Sequence, residues 1–202
     1  MGCIAKGARK TKSLLLAGTQ FLCFGDYMIY KGSNTYSINS CETIEVFYNI
    51  RTDIEKLNAA SEMTKLTYDV TTENQNSYKI LQLYLNTLYI ISETDKDLEF
   101  VISIFKMRLM MLIGYKPIVE KCSCCKQPKK LVSFSMKHSG LECEECKLSD
   151  TSSIDISPTT LDAIKYIIGC DAKKLYSFDI SKESKKELEI IAKLYTKEKL
   201  EI

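Results

Sequence analysis

A single histidine, His138, stands among 202 residues. In a Lys-Ser-Gly setting it reads as a solvated turn residue rather than a metal ligand, and without a partner it offers a Ser, Cys or Thr nucleophile no general base. There is no phosphate loop of the form GxxxxGK[ST] and no paired-carboxylate motif, so hydrolytic and phosphoryl-transfer chemistry have no visible carriers. Long apolar runs are scarce too. The most apolar helix-length stretch, Leu98 to Tyr115, has Lys106 and Arg108 at its middle, where a bilayer strongly disfavours them, which excludes it as a membrane span. No signal-peptide pattern is visible. The opening MGCIAK departs from a myristoylation start, because Lys6 stands where that motif takes Ser or Thr. Internal repeats and low-complexity segments are missing as well.

What is present suits one or two globular domains with a real core: 45% of residues are hydrophobic and 27% charged. Cysteine is the informative residue. Of nine, Cys3, Cys23, Cys41 and Cys170 are scattered without framework spacing and read as small buried or half-buried residues. An odd total without a secretory pattern points to a reducing cytosol.

The other five lie between Cys122 and Cys146, in CSCCKQPKKLVSFSMKHSGLECEEC. Cys122 and Cys125 form one C-x-x-C, Cys143 and Cys146 a second, and seventeen residues separate the pairs, within the range of four-cysteine zinc sites. Each pair can fold as a knuckle aiming two thiolates at one cation, and two knuckles complete the tetrahedral sulfur set of a structural Zn2+. Such a closed site keeps no metal-bound water, so its expected role is to fix a loop. A redox dithiol would be a single C-x-x-C beside a βαβ pattern, and an iron–sulfur cluster is the remaining alternative. Cys124 competes as a ligand, but only Cys122 and Cys125 reproduce the spacing of the second pair.

Periodicity divides the rest. Residues 1–40 read as β structure: TQFLCFGDYMIY is rich in aromatic and β-branched residues, Gly25 suits a bulge, and KGSN at 31–34 suits a turn. Helical stripes follow at Ile54, Leu57, Ala60, Met63, Leu66 and Val70, then Ile80, Tyr84, Leu88 and Ile91, then Leu98, Val101, Phe105, Leu109 and Leu112. ENQNS at 73–77 and SETDKD at 92–97 connect them, and Gly114 with Pro117 closes the third helix. Ser157 and Pro158 start a helix through Ile168, and a charged helix from about Glu183 turns Leu188, Ile191 and Leu194 inward. The expected class is α+β, mostly α.

Charge is uneven. Lys6, Arg9, Lys10, Lys12 and Lys31 against Asp26 give residues 1–40 a net charge of +4 within a chain of net +2, leaving the remainder acidic. KGARKTKS is by itself compatible with a solvated loop. Beside β strands bearing Phe and Tyr, it suits the basic grooves and aromatic stacking with which small barrels bind single strands.

The order AKGARKTKS, QFLCFGDYMIYKG, FYNIRTDIEKL and LEFVISIFKMRLMMLIGYKP, leading into C-x-x-C and GLECEEC, resembles the bacterial RecO family of DNA repair and recombination proteins over nearly the whole chain. The specific parts are Ala5 to Lys10, the helix end Arg108, Leu109, Leu112, Gly114, Tyr115 and Pro117, and the four paired cysteines. The resemblance implies a partial OB-fold barrel over 1–40 and a helical domain over 41–202 with a zinc loop at 122–146. It implies no enzymatic activity but a recombination mediator of the RecF pathway that binds and anneals single- and double-stranded DNA and helps load recombinase. Its partners would be RecR and the acidic, Phe-ended tail of single-stranded DNA-binding protein, in the bacterial cytoplasm at the nucleoid.

On this sequence Lys6, Arg9, Lys10 and Lys12 are the expected DNA contacts, and Lys106 and Arg108, among methionines, the expected contacts for the tail. Arg108 also suits a carbonyl-capping role. In the family the AKGARK segment follows two earlier strands, whereas here Met1 stands four residues before Ala5. That departure implies a barrel short of strands, through a late start codon, a fragment or a defective paralogue. The alternative function is a zinc-stapled helical adaptor that keeps protein contacts and has lost DNA binding.

Overall fold

A computed structural model of the chain describes residues 2–33, 35–73 and 75–201. Asn34 and Asn74, in the expected KGSN turn and ENQNS connection, lie outside the described residues, as do Met1 and Ile202. The chain divides into two compact units, Met1–Ile54 and Glu55–Ile202.

The first unit holds a three-stranded sheet of order β1-β3-β2, with β1 at Cys3–Ile4, β2 at Phe24–Lys31 and β3 at Tyr36–Glu45. β2 and β3 form an antiparallel hairpin from Lys31 opposite Tyr36 to Phe24 opposite Glu45, while β1 runs parallel to β3. A register shift at Phe24/Gly25 meets the expected bulge. β3 runs past residue 40 because its partner β2 continues to Phe24, and the ladder bonds of the first half of β2 need residues up to Glu45. A short helix α1, Tyr48–Arg51, follows.

Residues 5–23, expected as β, instead make successive turns. Their N–H groups bond back locally, as in Ala8 to Ala5, Lys10 to Gly7, Ser13 to Lys10, Leu16 to Ser13 and Cys23 to Gln20. Gly7 has φ +76°, outside the β region, and the Thr19 hydroxyl and Gln20 amide cap the Leu15 and Leu16 carbonyls. Backbone groups satisfied locally have no use for a ladder. The aromatic run therefore enters the sheet only from Phe24.

The second unit holds helices α2 (Ile54–Val70), α3 (Tyr78–Glu93), α4 (Leu98–Leu112), α6 (Pro158–Gly169) and α7 (Lys182–Leu200) and a small β lobe that α6 contacts. α4 is the central element, packed by α3, α6 and α7, and it is buried on nearly all sides, with Phe100, Val101, Ile102, Ile104, Phe105, Met107, Leu109 and Met110 inside. Asp97 caps it by accepting from the Phe100 N–H at 3.1 Å. It ends where Gly114 turns to φ +102°. Ser157, before Pro158, accepts from Thr160, as its position suggests.

Two stripe ends differ. Ile54, the first residue of α2, is exposed, and so is Leu194, at 42%. In α7 the buried positions Leu188, Ile191, Ala192 and Tyr195 follow i, i+3, i+4, i+7, which leaves Leu194 outside and puts the Tyr195 ring inside. Tyr195 stacks edge-on against Phe134 of the lobe at 5.4 Å, and its hydroxyl donates to the Tyr115 carbonyl. Burial pushes that phenol up to about 12.

Candidate metal centre and basic segment

The lobe is built from β4 (Leu131–Ser135), β5 (Gly140–Cys143), β6 (Ser153–Asp155) and the single-turn helix α5 (Glu144–Lys147), with the sheet ordered β5-β4-β6. Phe134 and Leu141 of its sheet are fully buried. The segment after Pro117 pairs with the β5 edge: Ile118 donates to Ser139, Leu141 to Ile118 and Ser123 to Leu141 at 2.7 Å. Only glycine fits at 140, since a Cβ there would stand 2.4 Å from the Ile118 carbonyl oxygen. That close approach carries the first C-x-x-C alongside the second.

Cys122 and Cys125 sit on a knuckle closed by the Lys126 N–H on the Cys122 carbonyl, with Lys126 left-handed at φ +61°. Cys143 ends β5, and Cys146 lies on α5. Their four sulfurs lie within 4.8 Å of one another, Cys125 and Cys143 being 4.0 Å apart. The Cys143 N–H points at the Cys122 sulfur from 3.5 Å. Burial opposes a charge on Cys122, but N–H groups of Cys143, Cys125 and Cys124 outweigh it and bring the thiol down to about 6. Cys125 is favoured as thiolate by Gln127, yet burial and the Cys122 and Cys143 sulfurs push it up; Cys146 is pushed up by burial and by the Cys122, Cys143, Cys125 and Cys124 side chains. Thiolate is the form that ligates a cation, so metal binding here would release protons. Four closely spaced cysteines of this kind can hold a metal ion.

His138 is not the solvated turn residue expected. It occupies the β4–β5 turn, but its side chain is only 29% exposed and Nδ1 lies 2.7 Å from a carboxylate oxygen of Glu142, which is fully buried. Asp150 stands 3.7 Å from the same nitrogen and accepts from Ser135 and Ser152. Those hydroxyl donors hold Asp150 down to about 2. The sequence signal was faint: an acid four residues after the one histidine, on a two-residue-period strand.

Lys6, Arg9, Lys10 and Lys12 are all exposed on the turns of the first unit, and among the described residues none is held in an ion pair. Lys106 and Arg108 are not brought together. Lys106 pairs with Glu62 of α2 at 2.6 Å, whereas Arg108 donates to the Ile167, Ile168 and Cys170 carbonyls at the end of α6. Arg108 also lines a cavity of about 190 Å³ with Lys79, Leu83, Met111, Leu112 and Leu175. Lys106 does not line it.

The chain is an α+β protein with a cysteine-lined lobe and an exposed basic segment, and the comparisons make its class specific. Family models described as Recombination protein O N terminal and Recombination protein O C terminal match residues 1–47 and 51–202. The DNA repair protein RecO of Acetivibrio thermocellus is 39% identical over 199 residues, 98% of this chain and 79% of that protein. Those of Alkaliphilus metalliredigens and Thermoanaerobacter sp. are 33% and 32% identical, over 95% and 98% of this chain and 78% and 80% of their own. The chain belongs to the RecO family. Its role lies in DNA repair and recombination, and RecO is a repair protein rather than a known enzyme. Among the described residues no helix is long and apolar enough to cross a membrane.

Proposed function

We propose that this chain is a recombination mediator that binds and anneals single- and double-stranded DNA and helps load recombinase on single strands, in the bacterial cytoplasm at the nucleoid. Membership of the RecO family carries the reading, and the four exposed cations Lys6, Arg9, Lys10 and Lys12 support its DNA-binding part. In this reading residues 1–40 supply the last strands of an OB-type fold and residues 41–202 a helical domain. RecR is a partner, and so is the tail of single-stranded DNA-binding protein. For that tail the cavity beside Arg108 is the better candidate than any surface of Lys106: three of five guanidinium donors are used on α6, two remain for a carboxylate, and Leu83, Met111 and Leu175 suit an aromatic ring.

Zinc is the ion we assign to Cys122, Cys125, Cys143 and Cys146. Sulfurs about 2.3 Å from a tetrahedral ion stand about 3.8 Å apart, and the 4.0 Å between Cys125 and Cys143 is close to that. With four thiolates the ion's role is structural: it would hold the knuckle to the β5–α5 corner.

Fluorescence anisotropy of the full chain with two unrelated oligonucleotides tests the DNA reading. Binding to both with similar affinity supports it. No binding to either at low salt overturns it in favour of a helical adaptor that works through protein contacts alone.

A further inference from the structure

We propose that Cys124, His138 and Glu142 form a second metal site, a mixed thiolate, imidazole and carboxylate set for a borderline divalent ion such as Zn2+ or Co2+, distinct from the four-cysteine cluster. One ligand atom from each lies within 4.8 Å of the other two. Cys124 comes from the knuckle, His138 and Glu142 from the β4–β5 hairpin, and the Ser123–Leu141 hydrogen bond at 2.7 Å holds the two segments together.

The second observation is Glu142 itself. Its side chain is fully buried; one oxygen meets His138 at 2.7 Å, and the other, Oε2, has no partner among the described residues. Buried charges are ordinarily paired or bound to metal, and an orphaned buried oxygen calls for an explanation. The Ser123 hydroxyl, beside Cys124 in sequence, is a second buried side-chain atom of this lobe without a partner among the described residues. A cation bridging Cys124, His138 and Glu142 satisfies the carboxylate.

The donor set decides the ion class. Sulfur, nitrogen and oxygen together suit zinc and its neighbours rather than hard cations, which prefer oxygen alone. Three protein ligands leave one tetrahedral position open, and Cys124 and His138 are partly exposed, so solvent or an incoming group reaches it. With one thiolate against four, this site fills after the cluster does.

Native mass spectrometry of the full chain titrated with Zn2+, alongside absorption spectra with Co2+, tests the proposal. The expected result is two ions per chain: a tight one with an intense four-thiolate cobalt spectrum, then a weaker one with a single-thiolate band. Cys124→Ser and His138→Gln, both at partly exposed positions, should weaken the second ion at least about tenfold and leave the first spectrum unchanged. Saturation at one ion, or a second ion indifferent to both substitutions, overturns the proposal. The two sites fail separately. A chain that never gives the four-thiolate spectrum removes the structural zinc, whereas one that saturates with that spectrum alone removes the second site.

Discussion

Arg108 donates to the Ile167 carbonyl at 2.7 Å and to the Cys170 carbonyl at 2.9 Å, so one side chain of α4 closes the C-terminal end of α6. The last carbonyls of a helix have no partner of their own, and a cation there also meets the negative end of the dipole. Arg108→Met keeps the apolar stem and removes the donors. A loss on the order of 3 kcal/mol is expected, since hydrogen bonds to a charged group contribute about 1.5–3 kcal/mol each and are not additive. Denaturant titration measures it, and faster amide exchange in the last turn of α6 should accompany it. A loss under about 0.5 kcal/mol would return Arg108 to the role of a free ligand-binding cation.

The paired cysteines support a second prediction. Chelation, or Cys143→Ser, should release the zinc we assign to this cluster and disorder the β4–β5 hairpin while α2, α3 and α4 stay folded, because those helices bury their own stripes within the helical core. Structural zinc contributes on the order of 10–16 kcal/mol of apparent binding free energy in small peptides, so a three-ligand remnant should not hold it tightly. Metal analysis with circular dichroism checks both halves. Stoichiometric, tightly held zinc in Cys143→Ser contradicts the ligand assignment.

Much of this arrangement is legible in sequence, and the pattern of success has a physical basis. Ala60, Met63 and Leu66 repeat at helical spacing and are buried, and Ser157–Pro158 starts a helix, because periodicity and caps are local properties. The cysteine pairs come together as their spacing suggests, because each knuckle is local too. Contacts set by tertiary packing are not legible. The reach of Arg108 to α6, the phase of α7 that buries Tyr195 instead of Leu194, and the burial of Glu142 against His138 depend on which surfaces meet. Residues 5–23 mislead for another reason: their aromatic and apolar content suits a strand, but their backbone closes on itself in turns.

Glu187 gives a pH prediction. One of its oxygens accepts from Thr160 Oγ1 at 2.6 Å, Ser157 Oγ at 2.8 Å and Ser157 N–H at 2.9 Å, joining α7 to the start of α6. Burial disfavours its charge, yet these donors outweigh burial and hold the carboxyl below its usual value. A lowered folded value means the stabilisation is fully present above the unfolded value of about 4.3 and is lost as pH falls through the folded one. Glu187→Gln should therefore cost about 1–3 kcal/mol at pH 7 and much less at pH 3. Urea titrations at both values measure the gap, and an equal gap at each refutes the charged-state account.

The last prediction concerns the salt dependence of DNA binding. Lys6, Arg9, Lys10 and Lys12 are exposed and free of ion pairs among the described residues, so neutralising phosphates costs them no competing interaction. For single strands the log–log slope of affinity against salt is about −0.7 per phosphate neutralised, which gives roughly −3 if all four engage. Phe21 and Tyr30, exposed on the same unit, could add base stacking of about 1–3 kcal/mol each without reading sequence. The two contributions separate in one experiment. Replacing Arg9, Lys10 and Lys12 by Ala should flatten the slope to about −1 and weaken binding at low salt, whereas Phe21→Ala and Tyr30→Ala should lower affinity at every salt concentration with the slope unchanged. Anisotropy titrations of the full chain across a salt series read both. A slope near −3 that survives the triple substitution would move the DNA contact away from this segment, and a marked preference between two unrelated oligonucleotides would contradict recognition through the backbone.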